Sequence, residues 1–228
     1  MGTTIEFPTA SGAKAQGYLA DGGEGSPGAI VIQEWWGVVP QIEATCDRFA
    51  QAGITALAPD LYGGRKVPVT EPDEAAKAMM RLKAPVAAAD LSGAVDELAA
   101  RTGRVKVGVV GYCMGGGLAL MLAANRPDGV AAVVPCYGVY PWADGQPDYS
   151  TMTAATQIHC ASLDTSFPPS AAESLAGTLR GLGREVDVHV YEGVDHAFAN
   201  EDRPEVYDAA SATLMFDRTV AFFTSHLS

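Results

Sequence analysis

Positive charge is scarce in this chain. Fifteen lysines and arginines stand against 27 aspartates and glutamates, a formal net charge of −12 over 228 residues. That balance argues against a nucleic-acid partner, because phosphate binding needs a basic face. The acidity is not gathered either: no run of five or six like charges occurs, so it spreads over a solvated surface. An anionic substrate would need a few local arginines to overcome that field. Long apolar runs are missing too. Nothing approaches roughly 18 uninterrupted apolar residues, so neither a membrane-spanning helix nor a membrane partner is expected. Residues 1–20 show no basic n-region and no apolar h-region, and Glu6 stands where a myristoylation pattern wants Ser or Thr. No secretory leader or lipid anchor is expected. Of the four cysteines, Cys46, Cys113, Cys136 and Cys160, no two form a C-x-x-C pair, and no His/Cys/Asp cluster has metal-ligand spacing. The expectation is free thiols in a reducing compartment, the cytoplasm, with no metal and no cofactor. No repeat, low-complexity tract or long linker interrupts the chain. Residues 1–228 therefore read as one α/β domain, expected to be a monomer or a weak homodimer.

What is present is enough apolar material for a substantial core: 48% hydrophobic residues against 18% charged. Residues 3–20 read as two short strands around Ser11-Gly12. GAIVIQEWWG is then a continuous apolar run ending in a charge, as a buried parallel strand often does. A helical pattern over 41–52 stops at Gly53, and ITALAPDLYGG follows as strand and loop. Residues 61–70 form a loop that could rim a cleft. Helices are expected over 72–82 and 86–101, divided near Pro85. VKVGVVGY reads as a strand entering a glycine-dense turn, and GGGLALMLAANR leaves it as a helix. VAAVVPCYG, QIHCASLD and VDVHVYEG give three more strands, with helices over 170–181 and 205–226. Such alternation predicts a mainly parallel sheet with helices on both faces, whose functional groups collect in loops at the carboxyl ends of the strands.

The glycine-dense turn, Gly111-Tyr112-Cys113-Met114-Gly115, is the cysteine form of the G-x-S-x-G elbow, with a cysteine where many hydrolases carry a serine. The turn puts Cys113 at a helix N-terminus, where unpaired N–H groups and the dipole favour a thiolate. The backbone N–H of Met114 becomes one natural oxyanion donor. The plain alternative is a small buried cysteine beside glycines that allow close packing. A catalytic thiol needs a histidine held by a third group. His159 and His189 fall within strand patterns, and His226 falls near the end of the last helix, expected to be exposed. His196 alone follows a strand, in the loop Gly193-Val194-Asp195-His196-Ala197-Phe198. Asp164, which ends QIHCASLD, is preferred as the orienting acid over Asp195, because side chains adjacent in sequence diverge. The order Cys113, Asp164, His196 is the nucleophile–acid–histidine order of α/β-hydrolases.

QEWWG with Glu34, APDLYG at 58–63, GYCMGG, Asp164 and DHAFAN at 195–200 together resemble the dienelactone hydrolase family, cysteine-dependent members of the α/β-hydrolase fold. The resemblance implies hydrolysis of a lactone ester, the best-known substrate being a carboxymethylenebutenolide opened to maleylacetate. It also implies that Glu34 contacts the resting thiol and moves aside when substrate binds, and that Trp35 supplies the second oxyanion N–H. Read without the family, Glu34 is a carboxylate ending a buried strand, where desolvation could raise its pKa, or one satisfied by backbone N–H groups. Trp35 and Trp36 could be plain core or could line an apolar pocket. There is one departure: where family members acting on the dienelactone carry an arginine for the substrate carboxylate, this chain has Asn200. The nearest arginine there is Arg203, and Arg81 lies in the region of a second. Trp36, Arg81, Phe198, Asn200 and Arg203 are the candidate substrate contacts. Two other readings remain. One is a non-catalytic α/β-hydrolase relative acting as a binding module. The other is a class I glutamine amidotransferase, which would want glutamate two residues after its histidine, where this chain has Phe198.

Overall fold

The computed structural model describes residues 1–138, 140, 142 and 146–227. The chain begins with two antiparallel strands, β1 (Thr3–Pro8) and β2 (Lys14–Ala20), and then alternates between strand and helix. In chain order come β3 (Gly28–Ile32), α1 (Pro40–Gln51), β4 (Thr55–Pro59), α2 (Pro72–Arg81) and α3 (Ala84–Thr102). The second half holds β5 (Val107–Tyr112), α4 (Met114–Asn125), β6 (Val130–Cys136), β7 (Ala155–Ala161), α5 (Pro169–Gly181), β8 (Val186–Tyr191) and α6 (Ala209–His226). The eight strands form one sheet in the order β1-β2-β4-β3-β5-β6-β7-β8, and every pair from β4 onward is parallel. The middle strands β3, β4 and β5 are buried at every residue. Covered on both faces, they read as continuous apolar runs rather than alternating ones.

Two apolar layers sandwich the sheet. One gathers Leu91, Leu98, Leu118, Leu122 and Leu179 from α3, α4 and α5. The other gathers Ile42, Phe49, Phe222 and Phe223 from α1 and α6. Helix α4 is buried from Met114 to Ala124, so its sequence is apolar on every side. The last helix begins at Ala209, not near 205 as the sequence pattern suggests. Asp208 caps it by accepting a hydrogen bond from the Ser211 N–H (2.8 Å), which fixes the start there. Among the described residues, no helix is long and apolar enough to cross a membrane.

Strand register is what assembles the site. Ile32 pairs with Gly111, Tyr112 with Cys136, Cys136 with His159, and Ala161 with Tyr191. Five neighbouring parallel strands therefore end side by side, and the residues just beyond them are Glu34, Cys113, Tyr137, Asp164 and His196.

Candidate active site

The turn after β5 is tight enough to exclude side chains at its glycines. A Cβ on Gly111 would run into the Gly115 carbonyl, and one on Gly115 would run into the carbonyls of Ile32 and Gln33. Cys113 sits between them at φ 54°, ψ −120°, in a region that L residues rarely adopt. Three non-glycine residues have positive φ among those described, Cys113, Tyr137 and Ala197, and all three lie at this end of the sheet. Backbone strain is thus concentrated where the side chains converge. The Cys113 N–H is held by the Cys136 carbonyl (3.1 Å), while its own carbonyl accepts from the Gly116 N–H (2.9 Å). Among the described residues, the backbone N–H groups of Met114 and Trp35 have no partner within the chain.

Asp164 is fixed before it meets the imidazole. Its Oδ1 accepts from the backbone N–H groups of Ser166 (2.7 Å) and Phe167 (3.0 Å), leaving Oδ2 for His196 Nδ1 at 2.7 Å. The carboxylate side chain is 0% exposed and the imidazole 20%. Asp195 is exposed, and its Oδ1 accepts from the backbone N–H of His196 (2.6 Å), so the imidazole is left to Asp164, as adjacency in sequence suggests. With Nδ1 facing a carboxylate, the Nδ1–H tautomer follows, and Nε2 is free for the sulfur. Burial opposes a charged imidazole. The hydrogen bonds to Asp164 and Cys113, reinforced by their charges, outweigh it and push the His196 pKa up to about 10. For Asp164, burial would raise the pKa, but the His196 and backbone hydrogen bonds hold it below the ordinary value.

Glu34 is buried and its carboxyl pKa is raised, chiefly by desolvation. Its Oε2 accepts from the Asn200 amide at 2.6 Å, and the Tyr137 hydroxyl donates to its Oε1 at 3.4 Å. Among the described residues it makes no hydrogen bond to Cys113. Its hydrogen bonds run to Asn200 and Tyr137 instead, while Glu34, Cys113 and His196 line one cavity.

Glu34, Trp35, Cys113, Met114, His196 and Arg203 line one cavity of about 320 Å³. The Arg203 Nε donates to the exposed Glu205 (2.9 Å). Other expected contacts lie elsewhere. Asn200 is fully buried against Glu34, with no face on the cavity. Phe198 is core, packed against Tyr137 and Tyr191, because the left-handed Ala197 turns the chain inward after His196. Trp36 is buried in the α1/α6 layer, edge-on to Trp35. Arg81 opens onto a separate cleft with Tyr62 and Arg65, which is where the 61–70 loop forms a rim. His226 is half-buried, not exposed: Nδ1 faces the Phe222 carbonyl (2.9 Å). Sequence reading missed Met79, Tyr140, Ser166 and Ala197 in the cavity wall and Tyr137 beside Glu34. Tyr137 had a usable signal, since it follows the strand next to the elbow strand.

An eight-stranded, mostly parallel sheet with a strained elbow after its central strand and a carboxylate-held histidine three strands on defines the class: an α/β hydrolase. More narrowly, the chain belongs to the dienelactone hydrolase family, which it matches over residues 15–227, and it is a hydrolase of esters or lactones. Protein usf of Aquifex pyrophilus is 37% identical over 236 residues, covering 100% of both chains. An Aquifex aeolicus (strain VF5) protein provisionally named carboxymethylenebutenolidase is 33% identical, again over 100% of both. A crystal structure from Klebsiella pneumoniae, provisionally described as a dienelactone hydrolase, superposes with a TM-score of 0.81 at 26% identity, covering 98% of this chain and 99% of that one.

Proposed function

We propose that this enzyme hydrolyses lactones or small esters through a thioester on Cys113. The observation that carries the reading is the hydrogen-bonded pair Asp164–His196 (2.7 Å), whose imidazole lines the same cavity as Cys113 at its elbow. The Cys113 sulfur attacks the ester carbonyl, and its proton passes to His196 Nε2. The raised pKa of His196 favours holding that proton as imidazolium. The N–H groups at Met114 and Trp35, unpaired among the described residues, supply hydrogen bonds to the developing oxyanion. As the C–O bond breaks, His196 returns the proton to the departing alkoxide, leaving a thioester. Water, deprotonated by His196, then cleaves the thioester to a carboxylic acid and the free thiol. Asp164 keeps the imidazole in one tautomer throughout.

The name carboxymethylenebutenolidase borne by the Aquifex aeolicus relative suggests a lactone that itself carries a carboxylate. In this chain the cation facing the cavity is Arg203, so Arg203 is the residue proposed to meet such a group. Four free cysteines fit a reducing compartment, and the cytoplasm is the proposed setting. The decisive experiment is a panel of lactones and aryl esters, with and without a carboxylate, scored by kcat/KM for the wild type and Cys113→Ala. Loss of turnover across the panel in the variant is the expected result. Hydrolysis by Cys113→Ala at the wild-type rate would overturn the mechanism.

A further inference from the structure

We propose that Tyr62 is a specificity-determining residue: its ring is the partition between the cavity of Cys113 and the neighbouring cleft, and it limits the enzyme to esters with short acyl chains. The proposal rests on ester attack at Cys113 and deepens that reading by naming the size class of substrate.

Two hollows meet at this wall. The cavity of Cys113 holds about 320 Å³, with Trp35, Met79, Met114 and Tyr140 in its apolar lining. The neighbouring cleft holds about 380 Å³ behind an apolar lining of Leu61, Tyr62, Ala78, Leu82 and Val86. The end of α2 divides them along one stretch, Met79 facing the cavity while Ala78 and Leu82 face the cleft. Trp142 anchors that stretch, its Nε1 donating to the Leu82 carbonyl (3.2 Å). Tyr62 closes the rest. It lines the cleft, and its hydroxyl reaches the sulfur of Met114 (3.6 Å), which lines the cavity. Half-buried, the ring packs against the apolar layers of both sheet faces. Its backbone is pinned. Asp60 Oδ1 accepts from the Tyr62 N–H (2.9 Å), and the Asp60 N–H donates to the Gln16 carbonyl (2.8 Å). One residue earlier, the Leu61 N–H donates to Oε1 of the fully buried Gln33 (3.3 Å). The chain then turns through Gly63 and Gly64, both at positive φ, and the Gly64 N–H donates back to Asp60 Oδ2. Tyr62 is therefore a fixed wall, held by its main chain rather than by its hydroxyl. Chemistry decides which arm of the ester meets it. His196 hands its proton to the departing oxygen, so the leaving group turns toward the imidazole. The acyl chain is left with Met79, Met114 and Tyr140, the lining that Tyr62 backs. Ligand pockets commonly span about 300–1,000 Å³, which puts this cavity at the small end. A short acyl chain fits within it, and a longer one runs into the ring.

The test scores p-nitrophenyl esters, from acetate to octanoate, by kcat/KM. Wild-type enzyme should prefer butyrate to octanoate by about tenfold or more, because methylenes that find no room are rejected. In Tyr62→Ala the octanoate-to-butyrate ratio should rise by about tenfold or more, as the chain passes into the apolar cleft beyond. A ratio separates selectivity from folding, since a merely structural loss lowers both rates together and leaves it unmoved. Tyr62→Phe keeps the ring and should hold the ratio within about threefold of wild type. Should Tyr62→Ala fail to fold, Tyr62→Leu shortens the side chain while keeping it apolar, and a rise of about threefold or more is expected. Wild-type enzyme that takes octanoate as readily as butyrate overturns the partition. So does a ratio unmoved in whichever of Tyr62→Ala and Tyr62→Leu folds, or one moved as far by Tyr62→Phe. Butyrate hydrolysis by Cys113→Ala at the wild-type rate would instead sink the nucleophile assignment, so the two failures are distinguishable.

Discussion

His159 lies within β7 and His196 in the loop after β8, and their surroundings push them in opposite directions. His159 is fully buried. Its Nδ1 meets the Tyr191 hydroxyl (2.8 Å), its Nε2 meets Gln157 (3.0 Å), and its ring stacks on His189. Its partners are neutral, so desolvation dominates, helped by the charges of His189 and Arg218, and its pKa falls well below the usual value. His196 is also largely enclosed, yet a carboxylate and a thiol face its two nitrogens and raise its pKa to about 10. Burial alone therefore says little about whether a histidine is charged; the charge of its partners decides. The core histidine is built to stay neutral, and the loop histidine to hold a proton.

That contrast breaks if the two residues prove interchangeable in their effects. The largest expected effect is at His196: His196→Gln should lower kcat/KM by about 10²–10⁴-fold, the usual contribution of a positioned acid–base group. Asp164→Asn should follow with a loss of about 10²-fold or more, since Asp164 sets the tautomer and supports the imidazolium. His159→Leu, by contrast, should keep kcat/KM within about threefold once folded, because the ring lies outside the cavity. Its cost belongs in stability: with the hydrogen bonds to Gln157 and Tyr191 lost in the interior, urea unfolding should show a loss of about 1–3 kcal/mol. A His159 variant that folded normally but lost turnover would defeat the comparison.

The pH dependence of stability sharpens it. The folded-state pKa of His159 is depressed, so the unfolded chain binds a proton more readily, and stability should fall as pH drops below about 6.5. His196 has the reverse sign. Its raised pKa gives a stabilisation fully present below about 6.5 and lost as pH rises through about 10. A plot of Tm against pH should thus show two limbs. His159→Leu should flatten the acid one and His196→Gln the alkaline one, and any crossover between variant and limb would count against the assignment.

The same two regions show what could be read in advance. The strands were legible because a sheet covered on both faces demands continuous apolar runs, and the elbow because a strand-to-helix turn this sharp demands glycine at 111 and 115. Asp164 and His196 were legible as polar residues just past strand ends. Beyond that point sequence reading lost the direction of side chains. After His196 the left-handed Ala197 and the successive turns Ala197–Asn200 and Asn200–Arg203 send Phe198 and Asn200 inward and leave Arg203 on the cavity. Which face a loop residue shows depends on such backbone angles, and no periodicity encodes them. Tyr137, at φ 39°, escaped notice for the same reason.

The smallest predicted effect concerns the two arginines, and it separates neighbouring clefts as the histidines separate core from loop. Arg81 ends α2 and faces a cleft of about 380 Å³ with Tyr62 and Arg65, whereas Arg203 faces the cavity of Cys113. Tyr62 stands between them, its hydroxyl directed at the Met114 sulfur (3.6 Å). Arg203→Ala should lower kcat/KM by about tenfold for carboxylate-bearing esters and leave neutral aryl esters nearly unchanged, as expected for one charged hydrogen-bonding contact. Arg81→Ala should change neither class by more than about twofold, and stability by no more than about 0.5 kcal/mol, as for exposed residues away from a site. A carboxylate-selective loss at Arg81 with none at Arg203 would show that the substrate spans the Tyr62 wall into the second cleft, and the division drawn between the two clefts would fail.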